Sequence, residues 1–218
     1  MRAKIFRSKD VYISSFFAIL AVALALDGRV SKLDGYTLLA GYVIYSISFM
    51  RKNSHIHTLF HGYGRVNLLK EFLIFIMSLC LIIISGELVV RGAINLADAL
   101  KISLGFIGLS IMAIGTSLPE IAYSIGLIKK HKQNEVLGNV IGSVSVNSTL
   151  VLGITAVIEP IVIVNGGISI TTYIFAILVI ALFLGFSKKD HDINKIEAAI
   201  LLLTYIIFLV VEYIVQLN

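Results

Sequence analysis

The chain has 218 residues, of which 58% are hydrophobic and only 14% charged. With a mean hydropathy of +0.96, it falls outside the soluble globular class, where about a quarter of residues carry charge. Its net charge of +5 is carried largely by loops, where it acts as a topology signal and gives no ground for a nucleic-acid partner.

Seven apolar runs follow in order: residues 11–26, 35–50, 69–90, 104–128, 137–158, 171–186 and 196–215. A bilayer span needs roughly 20 residues, and the shorter runs reach that with their flanks. None alternates as a barrel strand does. The expected fold is all-α, a polytopic membrane helix bundle with about seven transmembrane helices.

The first run follows Arg2, Lys4, Arg7 and Lys9 and holds Ala21, Ala23 and Ala25. That pattern also fits a cleaved signal peptide, although the repeat described below favours a retained helix. The loop after the second run carries Arg51, Lys52, Arg65 and Lys70, together with His55, His57 and His61. Such histidines can hold a transition metal, but with no carboxylate or cysteine beside them they read as a solvated loop cluster. In the third run Cys80 is alone, which excludes an intramolecular disulfide, and it reads as a small buried hydrophobe. Glu87, four residues before Arg91, reads as half of a local ion pair.

Lys129, Lys130 and Lys132 follow the fourth run, and Lys188, Lys189 and Lys195 the sixth. Fourteen cationic residues thus fall on one side, against Arg29, Lys32, Arg91 and Lys101 on the other. By the positive-inside rule the N-terminus is cytoplasmic and the C-terminus outside.

The fourth and fifth runs each carry one polar cluster. The first reads Gly115-Thr116-Ser117-Leu118-Pro119-Glu120; the second holds Gly138-Asn139, Gly142-Ser143 and Asn147. Ionisable groups are costly in hydrocarbon and are functional candidates there. Pro119 has no N–H and so leaves the Gly115 carbonyl without its helical donor. Ala113, Ser117 and Glu120 share a helical face, and Thr116 stands four residues before Glu120. Asn139, Ser143 and Asn147 form a second stripe at four-residue steps, and Gly138 with Gly142 makes a small-xxx-small surface suited to close helix approach. Together these offer a carboxylate, hydroxyls, amide oxygens and a freed carbonyl, the oxygen donors that hard cations such as Ca²⁺ take in sets of about six to eight. Ser143 and Asn147 also fit plain interhelical hydrogen bonding.

An internal repeat aligns residues 32–45 with 195–208. Lys32/Lys195, Leu38/Leu201, Leu39/Leu202, Tyr42/Tyr205 and Ile44/Ile207 are identical, and Asp34/Glu197 and Tyr45/Phe208 match in kind. The first copy follows an outside loop and the second an inside loop, an inverted arrangement common in secondary transporters.

The run from Ser85 to Gly153, with its two polar clusters and Leu150-Val151-Leu152-Gly153, resembles one α-repeat of the cation/Ca²⁺ antiporters, with the sodium/calcium exchangers as the nearest branch. The resemblance implies ten spans in two inverted five-helix halves. Residues 1–50 would then end the first half, 51–70 form a cytoplasmic connecting loop, and 71–218 make the second half. It implies a cell-membrane antiporter, not an enzyme, that exchanges Ca²⁺ for Na⁺ by alternating access. It needs no cofactor. Its partners would be the two ions, the lipid bilayer and a chain carrying the first α-repeat, which this sequence lacks. Ala113, Gly115, Thr116, Ser117, Glu120, Asn139, Ser143 and Asn147 would line the ion site. Val144 stands where the family often has Asn, and Asn147 where some members have Asp, so this chain brings one carboxylate. The alternative is a non-transporting remnant or assembly subunit whose polar residues only pack helices.

Overall fold

A computed structural model describes residues 8–52, 68–163, 170–190 and 193–217. The histidine cluster of the second loop lies outside these residues. Among them the chain is helical throughout its apolar runs: α1 (Ser8–Leu24), α2 (Lys32–Lys52), α3 (Leu68–Leu100), α4 (Leu104–Ile107), α5 (Ala113–Lys129), α6 (Gln133–Val146), α7 (Leu152–Ile158), α8 (Ile170–Asp190) and α9 (Lys195–Leu217). Two π-helical turns, Gly108–Met112 and Asn147–Val151, join α4 to α5 and α6 to α7. The fourth and fifth expected spans are therefore continuous rods, Leu104–Lys129 and Glu135–Ile158.

Five of the described helical rods are long and apolar enough to cross a bilayer, and Asp10–Leu24 forms a shorter apolar helix. With α2 these occupy the seven expected positions, so the chain is a multi-pass helical membrane protein. The expected limits were too short for the third span, because α3 continues past residue 90 for 10 more residues. At 1.5 Å per residue its 33 residues reach about 50 Å, well beyond a hydrocarbon core of about 30 Å.

Local chemistry explains the helix ends. Ser31 and Asp34 form a reciprocal cap at the start of α2, with Ser31 N–H donating to Asp34 Oδ2 at 2.8 Å and Asp34 N–H to Ser31 Oγ at 3.3 Å. Asn194 and Glu197 repeat the arrangement at α9: Asn194 Oδ1 accepts from Glu197 N–H, and Glu197 Oε2 accepts from Asn194 N–H, both at 2.9 Å. The acidic pair of the internal repeat thus plays one role twice. Glu159 precedes Pro160, and its extended backbone (φ −138°, ψ 121°) ends α7, as the crowding before a proline ring requires.

Packing is uneven. α1 lies against α6 and α8, α2 against α7 and the second π turn, and α8 against α9. The closest approach joins α2 to α7, where a Cβ on Gly35 would stand 2.9 Å from the Gly153 carbonyl oxygen. Gly142, expected to supply such an approach, would meet nothing within 4 Å; the small-residue contact is made on α2 and α7 instead. Gly28, at φ +83°, turns the chain from α1 into a two-residue strand, β1 (Arg29–Val30), which pairs antiparallel with β2 (Ile161–Val162). Tyr173 donates to the Ala25 carbonyl at 2.9 Å. These contacts gather the end of α1, the starts of α2 and α8 and the end of α7 at one end of the bundle.

α3 stands apart. Ala93 and Ala97 pack on Ile107 of α4, while residues 69–92 are exposed on every face. Cys80 is accordingly exposed, a correction to the buried reading: an apolar residue in a span is satisfied by lipid as readily as by protein. Arg91 Nε meets Glu87 Oε1 at 2.7 Å, the expected local pair.

Candidate cation site between α5 and α6

α5 and α6 run past one another with their polar stripes in register. Ser143 Oγ donates to Glu120 Oε1 at 3.1 Å, and Asn147 Nδ2 donates to Ser143 Oγ at 3.4 Å. Four residues along each helix, Asn139 Nδ2 donates to Ser124 Oγ at 3.4 Å. Successive rungs lie a four-residue step apart because that step returns a side chain to the same helical face. Ser124 lies outside the two polar clusters of the sequence, and only its position four residues after Glu120 marks it as sharing that helical face.

Glu120 is the centre of the ladder. Its Oε1 is held by Ser143, while its Oε2 is buried and has no hydrogen-bond partner among the described residues. A buried carboxylate oxygen left in this way is costly and is well suited to a cation. Among the described residues, no group of three His, Cys, Asp or Glu side chains comes together, so the remaining donors here are neutral oxygens. That set suits a hard cation better than a transition metal.

The other motif residues occupy different places. Thr116 and Ser117 both donate to the Ala113 carbonyl at 3.0 Å, bonding within α5. Gly115, Thr116, Ser117 and Asn147 are exposed, whereas Ala113, Asn139, Ser143 and Glu120 are partly buried. The structure therefore joins Glu120, Ser143 and Asn147 in one chain of hydrogen bonds, sets Asn139 one rung away, and leaves Thr116 and Ser117 on an open face. Pro119 sits inside α5 without breaking it.

The π turns flank this ladder. At each, an N–H reaches back five residues instead of four: Ala113 to the Gly108 carbonyl and Leu152 to the Asn147 carbonyl. Turns of this kind occur frequently at functional sites in helices.

Comparison with known proteins bears on this geometry. Residues 70–214, which include both stripes, match the family model described as sodium/calcium exchanger protein. The chain belongs to the sodium/calcium exchanger family. CaxA of Alkalimonas amylolytica, which carries an antiporter name, is 39% identical over 136 residues, covering 60% of this chain and 42% of that protein. An uncharacterized membrane protein of Methanocaldococcus jannaschii is 33% identical over 135 residues, covering 62% of this chain and 44% of that protein. MaX1 of Methanosarcina acetivorans, named a sodium/calcium exchanger, is 29% identical over 144 residues, 66% of this chain and 41% of that protein. The chain thus spans less than half the length of these relatives. No solved structure matches it.

Proposed function

We propose that the chain supplies one half of a cation-exchange site and that, with a second polar helix pair, it exchanges Ca²⁺ for Na⁺ across the cell membrane by alternating access. The observation that carries this reading is Glu120, whose Oε2 is buried without a hydrogen-bond partner while Oε1 is fixed by Ser143. Ser143, Asn147 and the exposed Thr116 and Ser117 bring neutral oxygens to the same stretch of α5 and α6. Ca²⁺ takes about six to eight oxygens, more than these side chains provide. One carboxylate also leaves a double charge half neutralised. A completing segment with its own acidic group fits both deficits, and the open face of α5 offers it a place. The ions would compete for Glu120, so its charge would couple the two fluxes. The loop charges favour a cytoplasmic N-terminus and an outer C-terminus.

The test is uptake of radiolabelled Ca²⁺ into Na⁺-loaded proteoliposomes holding this chain, beside Glu120→Gln. Gradient-driven uptake lost in the variant supports exchange through Glu120, and shows that copies of the chain complete the site themselves. Uptake equal in both refutes the role of Glu120. If the folded chain takes up nothing alone but does so with a companion segment, the half-site reading stands; failure with companions as well favours a helix-packing subunit.

A further inference from the structure

Tyr205 on α9 donates its hydroxyl to the Leu109 carbonyl at 3.0 Å. Leu109 lies inside the π turn Gly108–Met112. The N–H that would bond this carbonyl in an α-helix belongs to Ala113 and is directed instead to the Gly108 and Ser110 carbonyls. The tyrosine thus supplies a donor where the π turn has withdrawn one. A second contact lies further along α9, where the Tyr213 ring meets Phe106 of α4 at 5.6 Å between centroids. α4 is also held by α3, with Ile107 packed on Ala93 and Ala97.

A π turn places one extra residue in the helix. At 3.6 residues per turn, its conversion to α-helix would rotate everything beyond it by about 100° relative to what precedes it. With α4 held by α3 and α9, that rotation falls on α5, the helix carrying Thr116, Ser117 and Glu120. Glu120 then leaves Ser143. The other π turn, Asn147–Val151, packs against α2, the helix that the internal repeat pairs with α9.

We propose that Tyr205 is a positioning residue for the cation site: by bonding Leu109 it holds the π turn and fixes the rotational register in which Glu120 meets Ser143. This rests on the reading of Glu120 as a cation ligand. Tyr205 stands far from the ion itself, since the 11 residues from Leu109 to Glu120 span about 16 Å of helix. Its effect therefore passes through the backbone of α5.

The experiment compares Tyr205→Phe with Tyr173→Phe in the full chain, reconstituted with a companion segment if uptake requires one. The control removes another long-range tyrosine bond, from α8 to the Ala25 carbonyl just beyond α1. Two quantities are read: amide hydrogen exchange over residues 109–120, and the Ca²⁺ concentration giving half-maximal uptake. In Tyr205→Phe, exchange over 109–120 should quicken and half-saturation rise roughly 2- to 10-fold, the equivalent of one net hydrogen bond. Neither should change in Tyr173→Phe. Unchanged exchange and half-saturation in Tyr205→Phe, or equal changes in both variants, would overturn the proposal. If the unsubstituted chain takes up no Ca²⁺ under any condition, the antiport reading fails, and exchange alone decides whether Tyr205 sets the register of α5.

Discussion

Glu120→Gln gives the sharpest test of the site because it changes charge with almost no change of shape. The amide oxygen can still accept from Ser143 Oγ, now 3.1 Å from Glu120 Oε1. The amide nitrogen then occupies the place of Oε2, which is buried and has no hydrogen-bond partner among the described residues. A cation loses one formal negative charge and one ligand oxygen. At a charge separation of about 4 Å and an effective dielectric constant of about 20, one pair of unit charges is worth about 4 kcal/mol, and a divalent ion doubles the Coulomb energy. The lower cost of desolvating an amide offsets part of this. A net loss of about 2–4 kcal/mol is expected, or roughly 30- to 1000-fold in half-saturating Ca²⁺. The assay is initial Ca²⁺ uptake against Ca²⁺ concentration in Na⁺-loaded proteoliposomes, with thermal unfolding in detergent as the folding control. A shift below about threefold in a folded variant would show that the cation does not meet this carboxylate, and the argument from its orphaned oxygen would fail.

Other expectations follow from the same contacts. Ser143→Ala removes the donor to Glu120 and the acceptor of Asn147; one such charge-assisted bond is worth about 1.5–3 kcal/mol, so half-saturation should rise at least tenfold, and an unchanged value would place the ion elsewhere. Gly35→Ala puts a methyl 2.9 Å from the Gly153 carbonyl and the Val157 side chain, and should cost about 1–3 kcal/mol in overpacking. Gly142→Ala, which meets nothing within 4 Å, should not lower the unfolding temperature; equal effects would contradict the α2–α7 contact. The hydrogen bonds from the Ser31 side chain and backbone hold the Asp34 carboxyl below its ordinary value of 3.8. A carboxyl depressed in the folded state contributes its stabilisation above that ordinary value and loses it as pH falls through the folded one. Acid titration of helicity should therefore show Asp34→Asn losing less stability than the parent below about pH 4; superimposable titrations would refute the cap.

Much of this protein is legible along the chain. Apolar length is a local and additive property, so the spans follow from composition in windows of about 20 residues. The cost of ionisable groups in hydrocarbon marks Glu120 as a candidate without any knowledge of its neighbours. The adjacent Thr116, Ser117 and Pro119 distinguish it from Glu87 and from Glu212, which is buried on α9. The Glu87–Arg91 pair, separated by four residues, was equally readable because helix geometry alone brings those side chains together.

Contacts between helices required the tertiary structure. Glu120 and Ser143 are 23 residues apart, and their meeting depends on the rotation of two rods that no local pattern fixes. The first π turn also depends on a distant residue: Leu109 within Gly108–Met112 accepts from Tyr205, 96 residues away, and the apolar letters of the turn do not mark it. Lipid removes the remaining clue. In water a buried helix face betrays itself by polarity, but hydrocarbon accepts an apolar side chain as readily as protein does. The sequence therefore determined which segments enter the membrane and that Glu120 stands in one of them with hydroxyls beside it. Which glycines touch, whether Cys80 is covered, and which hydroxyl reaches Glu120 were decided by packing.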